Sequence, residues 1–187
     1  MVNAQENQHD DAGHSIHRSS FIIPRSAVPA PWDLRGAALV LLDKSDGGLR
    51  LLALVHYDDS PVGAYDERAV VAVTRRGPSV VEMQVTSADS MRDGRANWGY
   101  PKTLARLSWQ RRDKRAVFTA DGKSLRARAC GPAFPVCLRA WSAQTLDGRP
   151  VRAPFQLQGR TRFAFVGRRI AVLVEPFFMR VEPPITG

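Results

Sequence analysis

Residues 94–104 read Gly94-Arg95-Ala96-Asn97-Trp98-Gly99-Tyr100-Pro101-Lys102-Thr103-Leu104. Lys102 is one of only four lysines among the 27 lysines and arginines of this 187-residue chain. The other three, Lys44, Lys114 and Lys123, sit in hydrophilic turns. Lys102 instead follows two aromatic residues and a proline, and precedes Leu104. Arginine keeps its proton, whereas a lysine in apolar surroundings can lose it. A chain that otherwise writes arginine has placed a potential nucleophile beside an apolar cluster. Pro101 disfavours helix at Tyr100 and stiffens the approach to the amine. Just upstream, Ser87 to Trp98 reads as a helix, capped by Ser87 or Ser90, with Asp89 and Asp93 favouring its early turns and Gly94 weakening it.

Outward from there the pattern is strands and turns. Gly36 to Asp43 and Leu49 to Tyr57 are apolar runs joined by Lys44-Ser45-Asp46-Gly47-Gly48, the signature of a hairpin. Asp58 to Glu67 reads as a loop broken by Pro61 and Gly63. Arg68 to Thr74 and Ser79 to Thr86 form a strand pair around Arg75-Arg76-Gly77-Pro78. After the lysine, Leu104 to Arg111, Arg115 to Ala120 and Leu125 to Ala129 read as strands. Phe134 to Gln144 fits a strand at its start and a short helix at its end. Arg162 to Val166 and Ile170 to Val174 make another hairpin, and Pro176-Phe177-Phe178-Met179 adds aromatic side chains to the core. Short strands at this spacing, with turn chemistry between them, predict a mainly β (α+β) fold, an antiparallel barrel or sandwich.

Residues 1–20 are polar, with His9, His14 and His17 irregularly spaced, and read as a disordered arm with solvated histidines. Residues 21–187 then form a single domain of ample size for a core. The net charge of +9 is spread through strand-like segments and interleaved with no aromatic cluster, so no nucleic-acid partner is expected. Cys130 and Cys137 are too few for a disulfide framework and read as free thiols of a reducing compartment. No signal-like start and no apolar run near the ~18 residues of a membrane span is present, which predicts a cytoplasmic protein without membrane attachment.

The chemistry is bounded by what is missing. The chain has no CxxC, HExxH, P-loop or GxGxxG motif, and His56 is its one histidine outside the arm. Metal, triad and nucleotide chemistry therefore have little to draw on, and no metal or cofactor is expected. His56, ending an apolar strand, reads as a satisfied histidine rather than a partner of either cysteine. A neutral lysine, by contrast, attacks a ketone to give an iminium, which withdraws electrons from the adjacent carbon. Loss of CO2 from a β-keto acid and aldol chemistry both need that. The bland alternative is a snorkelling lysine on a turn.

Gly94-Arg95, four residues, then Tyr100-Pro101-Lys102 resembles the G-R-x(4)-[YF]-P-K signature of the acetoacetate decarboxylase-like superfamily. Gly63-Ala64-Tyr65-Asp66-Glu67 resembles its G-x-Y-x-E segment, at similar spacing from the lysine. The likeness is clearest from Pro31 to Ser108. It implies an antiparallel β-barrel of that type with a few short helices, Lys102 as the Schiff-base lysine and Glu67 as a carboxylate of the active site. It further implies a small keto acid as substrate, no cofactor, and a homo-oligomer. Arg95, Tyr100 and Trp98 are the expected substrate-binding residues, with Arg95 either holding a carboxylate or serving a buried ion pair. Arg25 and Arg35 are candidates for a further pocket arginine. The chain departs from the family in having Thr103 where a second lysine follows the nucleophile, and in carrying no acidic residue on Leu49 to Tyr57. The expected activity is decarboxylation through Lys102. The alternatives are an aldolase-dehydratase using the same imine, and a non-catalytic barrel that binds a small ligand.

Overall fold

The computed structural model describes residues 27–45 and 48–186. The expected arm, its three histidines and Arg25 lie outside the described residues. Chain order is β1 (Trp32–Ser45), β2 (Gly48–Asp59), β3 (Tyr65–Thr74), β4 (Gly77–Val85), α1 (Ala88–Trp98) and β5 (Lys102–Leu104). Then follow β6 (Leu107–Arg112), β7 (Arg115–Ala120), β8 (Lys123–Ala129), β9 (Phe134–Leu146), β10 (Arg149–Val166), β11 (Arg169–Val181) and β12 (Ile185–Thr186).

The continuous apolar run of β1 is explained by burial on both faces of the sheet. Leu39 and Leu41 point to one side, where Leu54, Leu107, Phe118 and Leu173 join them in a core under β6–β8. Alternation sends Leu34 and Ala38 to the other side, against Val55, Tyr57, Trp98 and Phe177. This second core surrounds a cavity.

The strands form one sheet in the order β5-β4-β3-β2-β1-β11-β10-β8-β7-β6, with β9 and β12 also pairing with β10. The barrel expected from strand spacing is not closed: this hydrogen-bonded path has two ends, among the described residues. The sheet curls instead, bringing β9 against β4 and α1. Curling follows from register breaks at one level in neighbouring strands, between Gly36 and Ala38 and between Gly159 and Thr161. A β-carbon at Gly36 would collide with the His56 carbonyl, and one at Gly159 would collide with the Pro176 carbonyl, so these bends need glycine.

Three local expectations change. Phe134 to Gln144 is strand throughout, because β9 pairs along its whole length with β10. One helix, α1, occurs among the described residues where a few were expected. The loop expected over residues 58–67 is shorter, so Glu67 sits on β3, held between Val55 of β2 and Val85 of β4. The β1–β2 and β10–β11 hairpins and the helix over 88–98 match the sequence reading. No described helix is long and apolar enough to cross a membrane.

Candidate active site

Helix α1 starts at Ser87, whose hydroxyl accepts from the Ser90 amide at 3.1 Å, and ends at Gly99 in the left-handed conformation. The chain then returns to the edge of the sheet, and β5 runs parallel to β4, as a helical crossover requires. Lys102 opens β5 beside Met83. Alternation turns its side chain inward and Thr103 outward, where the Thr103 hydroxyl donates to the Met83 carbonyl at 3.3 Å.

Inside, Lys102 Nζ donates to Glu67 Oε2 at 3.0 Å and to Ser90 Oγ at 2.8 Å. The residues are 3% and 5% exposed for Lys102 and Glu67, so this is a buried pair shielded from bulk water. Tyr57 Oη donates to the other carboxylate oxygen at 3.1 Å. Nζ also lies 5.3 Å from the Tyr65 ring centroid and 5.9 Å from that of Trp32, within cation–π range. The charges are thus partnered on several sides, the condition under which a buried pair persists.

The chain builds this from simple periodicities. Glu67 shares a face of β3 with Tyr65 two residues earlier, and Tyr57 of β2 lies opposite Tyr65 in register. On α1, Ser90, Gly94 and Trp98 recur every four residues and are all buried, forming one stripe against the sheet. Ser90 supplies a hydroxyl to the amine. Gly94 supplies empty space: a β-carbon there would sit 2.7 Å from Lys102 Cε and 2.8 Å from Cδ. Trp98 packs edge-on to Trp32, with centroids 5.1 Å apart, and its indole donates to the Glu182 carbonyl at 2.8 Å. Trp32 and Asn97 both donate to the Val28 carbonyl, and the Val28 amide donates to fully buried Asp93. The segment entering β1 is thereby tied to the helix that positions the lysine.

The pair faces a cavity of about 390 Å³. Lys102, Glu67, Trp98 and Tyr100 all line it, together with Tyr57, Tyr65 and Ser142. Burial, reinforced by the Glu67 charge, raises Tyr57 and Tyr65 well above the ordinary phenol value. Burial likewise pushes Tyr100 up to about 12, against an opposing hydrogen bond with Ser142. All three phenols therefore keep their protons at neutral pH.

Arg95 is not part of the cavity. Its side chain is exposed and its Nε donates to the Lys102 carbonyl at 2.7 Å, so it neither holds a carboxylate inside nor forms a buried ion pair. It braces the backbone of the lysine from outside. Arg35 also points away and stacks over the Phe178 ring at 4.7 Å. No arginine lines the cavity among the described residues. His56 bonds Asp66 at 2.7 Å through Nδ1, and Cys130 and Cys137 are both free, with Cys137 exposed. No group of three or more potential metal ligands occurs among the described residues.

No family profile matches this chain, and no curated protein matches it in sequence. Solved structures do match in shape. The acetoacetate decarboxylase of Legionella pneumophila superposes with a TM-score of 0.55 over 90% of this chain and 93% of its own, at 12% identity. A second acetoacetate decarboxylase gives 0.59 over 91% and 96%, also at 12% identity. The chain has the acetoacetate decarboxylase-like fold. MppR, an enduracididine biosynthesis enzyme solved with the condensation product of pyruvate and imidazole 4-carboxaldehyde, matches as well. Its TM-score is 0.54 over 97% and 98%, at 13% identity.

Within this acetoacetate decarboxylase-like fold, sequence reasoning located Lys102, Glu67, Tyr100 and Trp98 but passed over several neighbours. In sequence Ser90 reads as a cap, and Gly94 as a weak point of the helix and the start of the Gly94–Lys102 signature, with neither assigned to the amine. The four-residue recurrence of Ser90, Gly94 and Trp98 is the signal that places them on the lysine's side. Tyr57 carries no such signal, since only strand register brings it to Glu67.

Proposed function

We propose that this chain is a lyase that forms a Schiff base through Lys102 with a keto acid and decarboxylates it. The observation that carries this reading is the Lys102–Glu67 pair, 3.0 Å apart at the wall of an otherwise apolar cavity. Passing a proton from Nζ to Oε2 turns two buried charges into two neutral groups, which a dry cavity tolerates readily. The neutral amine then attacks the ketone carbon, and the oxygen leaves as water to give an iminium. The bond to the carboxylate carbon breaks, CO2 departs, and its electron pair moves toward the iminium nitrogen to give an enamine. The proton held on Glu67 leaves with that water, so Glu67 then relays one proton from solvent to the carbon, and hydrolysis of the resulting iminium releases the ketone and the lysine.

The other residues have defined parts in this scheme. Ser90 and Tyr57 orient the amine and the carboxylate. Tyr65, Tyr100 and Trp98 wall the reacting centre, with the protonated phenols as neutral hydrogen-bond donors. Thr103, facing away, takes no direct part. Borohydride reduction in the presence of acetoacetate or pyruvate, followed by intact mass measurement, tests the nucleophile. The expected result is one added adduct, absent in Lys102→Ala. No adduct with any small keto acid, or an equal adduct in the variant, counts against it.

A second reading keeps the imine but uses it for aldol condensation and dehydration. The likeness to MppR, solved with a condensation product, favours it. Assaying CO2 release against condensation with an aldehyde separates the two.

A further inference from the structure

The cavity is much larger than a four-carbon keto acid, and its polarity is confined to one end. The polar side chains gather around Lys102, and these are deeply buried: Tyr57 and Tyr65 are 3% and 4% exposed. Moving four residues along β3 from Glu67 reaches Val71, which pairs with Leu51 and Val80, while Ala53 and Val40 lie nearer the charged pair, level with Ala69. At ~3.3 Å per residue this is ~13 Å of apolar wall. Leu51 and Leu138, 41% and 47% exposed, mark the outer end. The charged pair therefore sits at the blind end and the entrance is apolar.

Three alanines, Ala38 of β1, Ala53 of β2 and Ala140 of β9, hold the walls apart. Larger residues at these positions would fill the space. Acetoacetate offers only three C–C bonds of ~1.5 Å each, so its carbon chain spans less than ~5 Å. A saturated chain advances at most its ~1.5 Å bond length per carbon, so about eight to ten carbons run the length of that ~13 Å wall.

We infer that the substrate is a 3-oxo acid with an unbranched apolar tail, of about eight to ten carbons in all, whose tail lies along β1–β4 toward Leu51. The inference rests on the imine reading for the position of the carbonyl at Lys102. Loss of CO2 from such an acid yields a methyl ketone one carbon shorter, which leaves by the same apolar entrance. Tail burial supplies the affinity that a cavity lined by no arginine, among the described residues, does not draw from the carboxylate.

Two measurements test this. In the first, CO2 release is followed with 3-oxobutanoate, 3-oxohexanoate, 3-oxooctanoate and 3-oxodecanoate. The expected kcat/KM rises about fourfold per added methylene until the cavity is full, the factor set by burying one CH2. Ala53→Phe, which plugs the middle of the wall, is expected to flatten that rise. In the second, butan-2-ol, hexan-2-ol and octan-2-ol, which form no imine, are titrated against the wild-type protein by tryptophan fluorescence, since Trp32, Trp98 and Trp141 line the cavity. Affinity is expected to climb with chain length. Turnover of 3-oxobutanoate with no gain for longer acids overturns the tail and leaves the decarboxylase. Length-dependent binding of the alcohols with no adduct or CO2 from any acid supports the tail and overturns the decarboxylase. Absence of both overturns both.

Discussion

The side chain of Lys102 lies across the backbone of Gly94, so closely that a β-carbon on that glycine would meet Lys102 Cε at 2.7 Å. The atoms in the way belong to a flexible stem rather than to backbone, so Gly94→Ala is expected to move the amine without breaking the fold. Alanine also favours helix over glycine by about 1 kcal/mol, which offsets the crowding. Imine trapping should slow by at least about tenfold, the range typical of ångström-scale misplacement, while thermal stability changes little. A variant that traps as fast as wild type would show that the stem has room to spare.

Glu67 and Lys102 are expected to depend on each other for stability. Glu67→Gln leaves the amine buried without its anion and should cost about 3 kcal/mol in urea unfolding at neutral pH. Replacing both groups, as Lys102→Met with Glu67→Leu, should recover most of that loss while abolishing any adduct. Equal stability of Glu67→Gln and wild type would mean that the pair is wetter than its 3% and 5% exposure implies.

Tyr100 gives the fold an alkaline limit. Its phenol is raised to about 12 in the folded protein, above its ordinary value of 10.0. Between those values the folded state holds a proton that the unfolded state has released, so stability falls as pH rises. The contribution is fully present below about pH 10 and lost by about pH 12, and Tyr57 and Tyr65, raised in the same direction, add to it. Tyr100→Phe should show a shallower decline of the urea midpoint across this window. An identical decline would place the titration elsewhere.

Self-association is the fourth expectation. Phe163, Phe165 and Ile170 stand 59%, 47% and 65% exposed together on the β10–β11 hairpin, and clustered exposed apolar side chains are what an association surface presents. Light scattering at micromolar concentration is expected to give a multiple of the 20.7 kDa chain mass. Phe163→Glu with Ile170→Glu should lower it. A monomeric wild type would contradict the expectation.

The amino-acid sequence alone was enough to mark the hairpins, the helix over 88–98 and Lys102, because these rest on local chemistry, whereas Glu67 was marked only by the likeness of residues 63–67 to a family segment. Turn residues, a serine cap, alternation and a proline before the lysine act over a few positions and leave their trace in the string. Arg95 shows the limit: its motif neighbours pointed inward, yet its guanidinium braces the Lys102 carbonyl from the solvent side. Position along the chain gives no direction for a long side chain at a helix end.

Only the tertiary structure decided that the sheet stays open, that β9 is strand throughout, and that Tyr57 and Ser90 reach the charged pair. Each of these depends on register between distant strands and on how far the sheet curls at Gly36 and Gly159. The size of the cavity was likewise invisible, since it follows from three alanines, thirty-eight to one hundred and forty in the numbering, facing one space. Alanine reads as an ordinary strand residue one position at a time; what it leaves empty exists only when the opposing walls are in place.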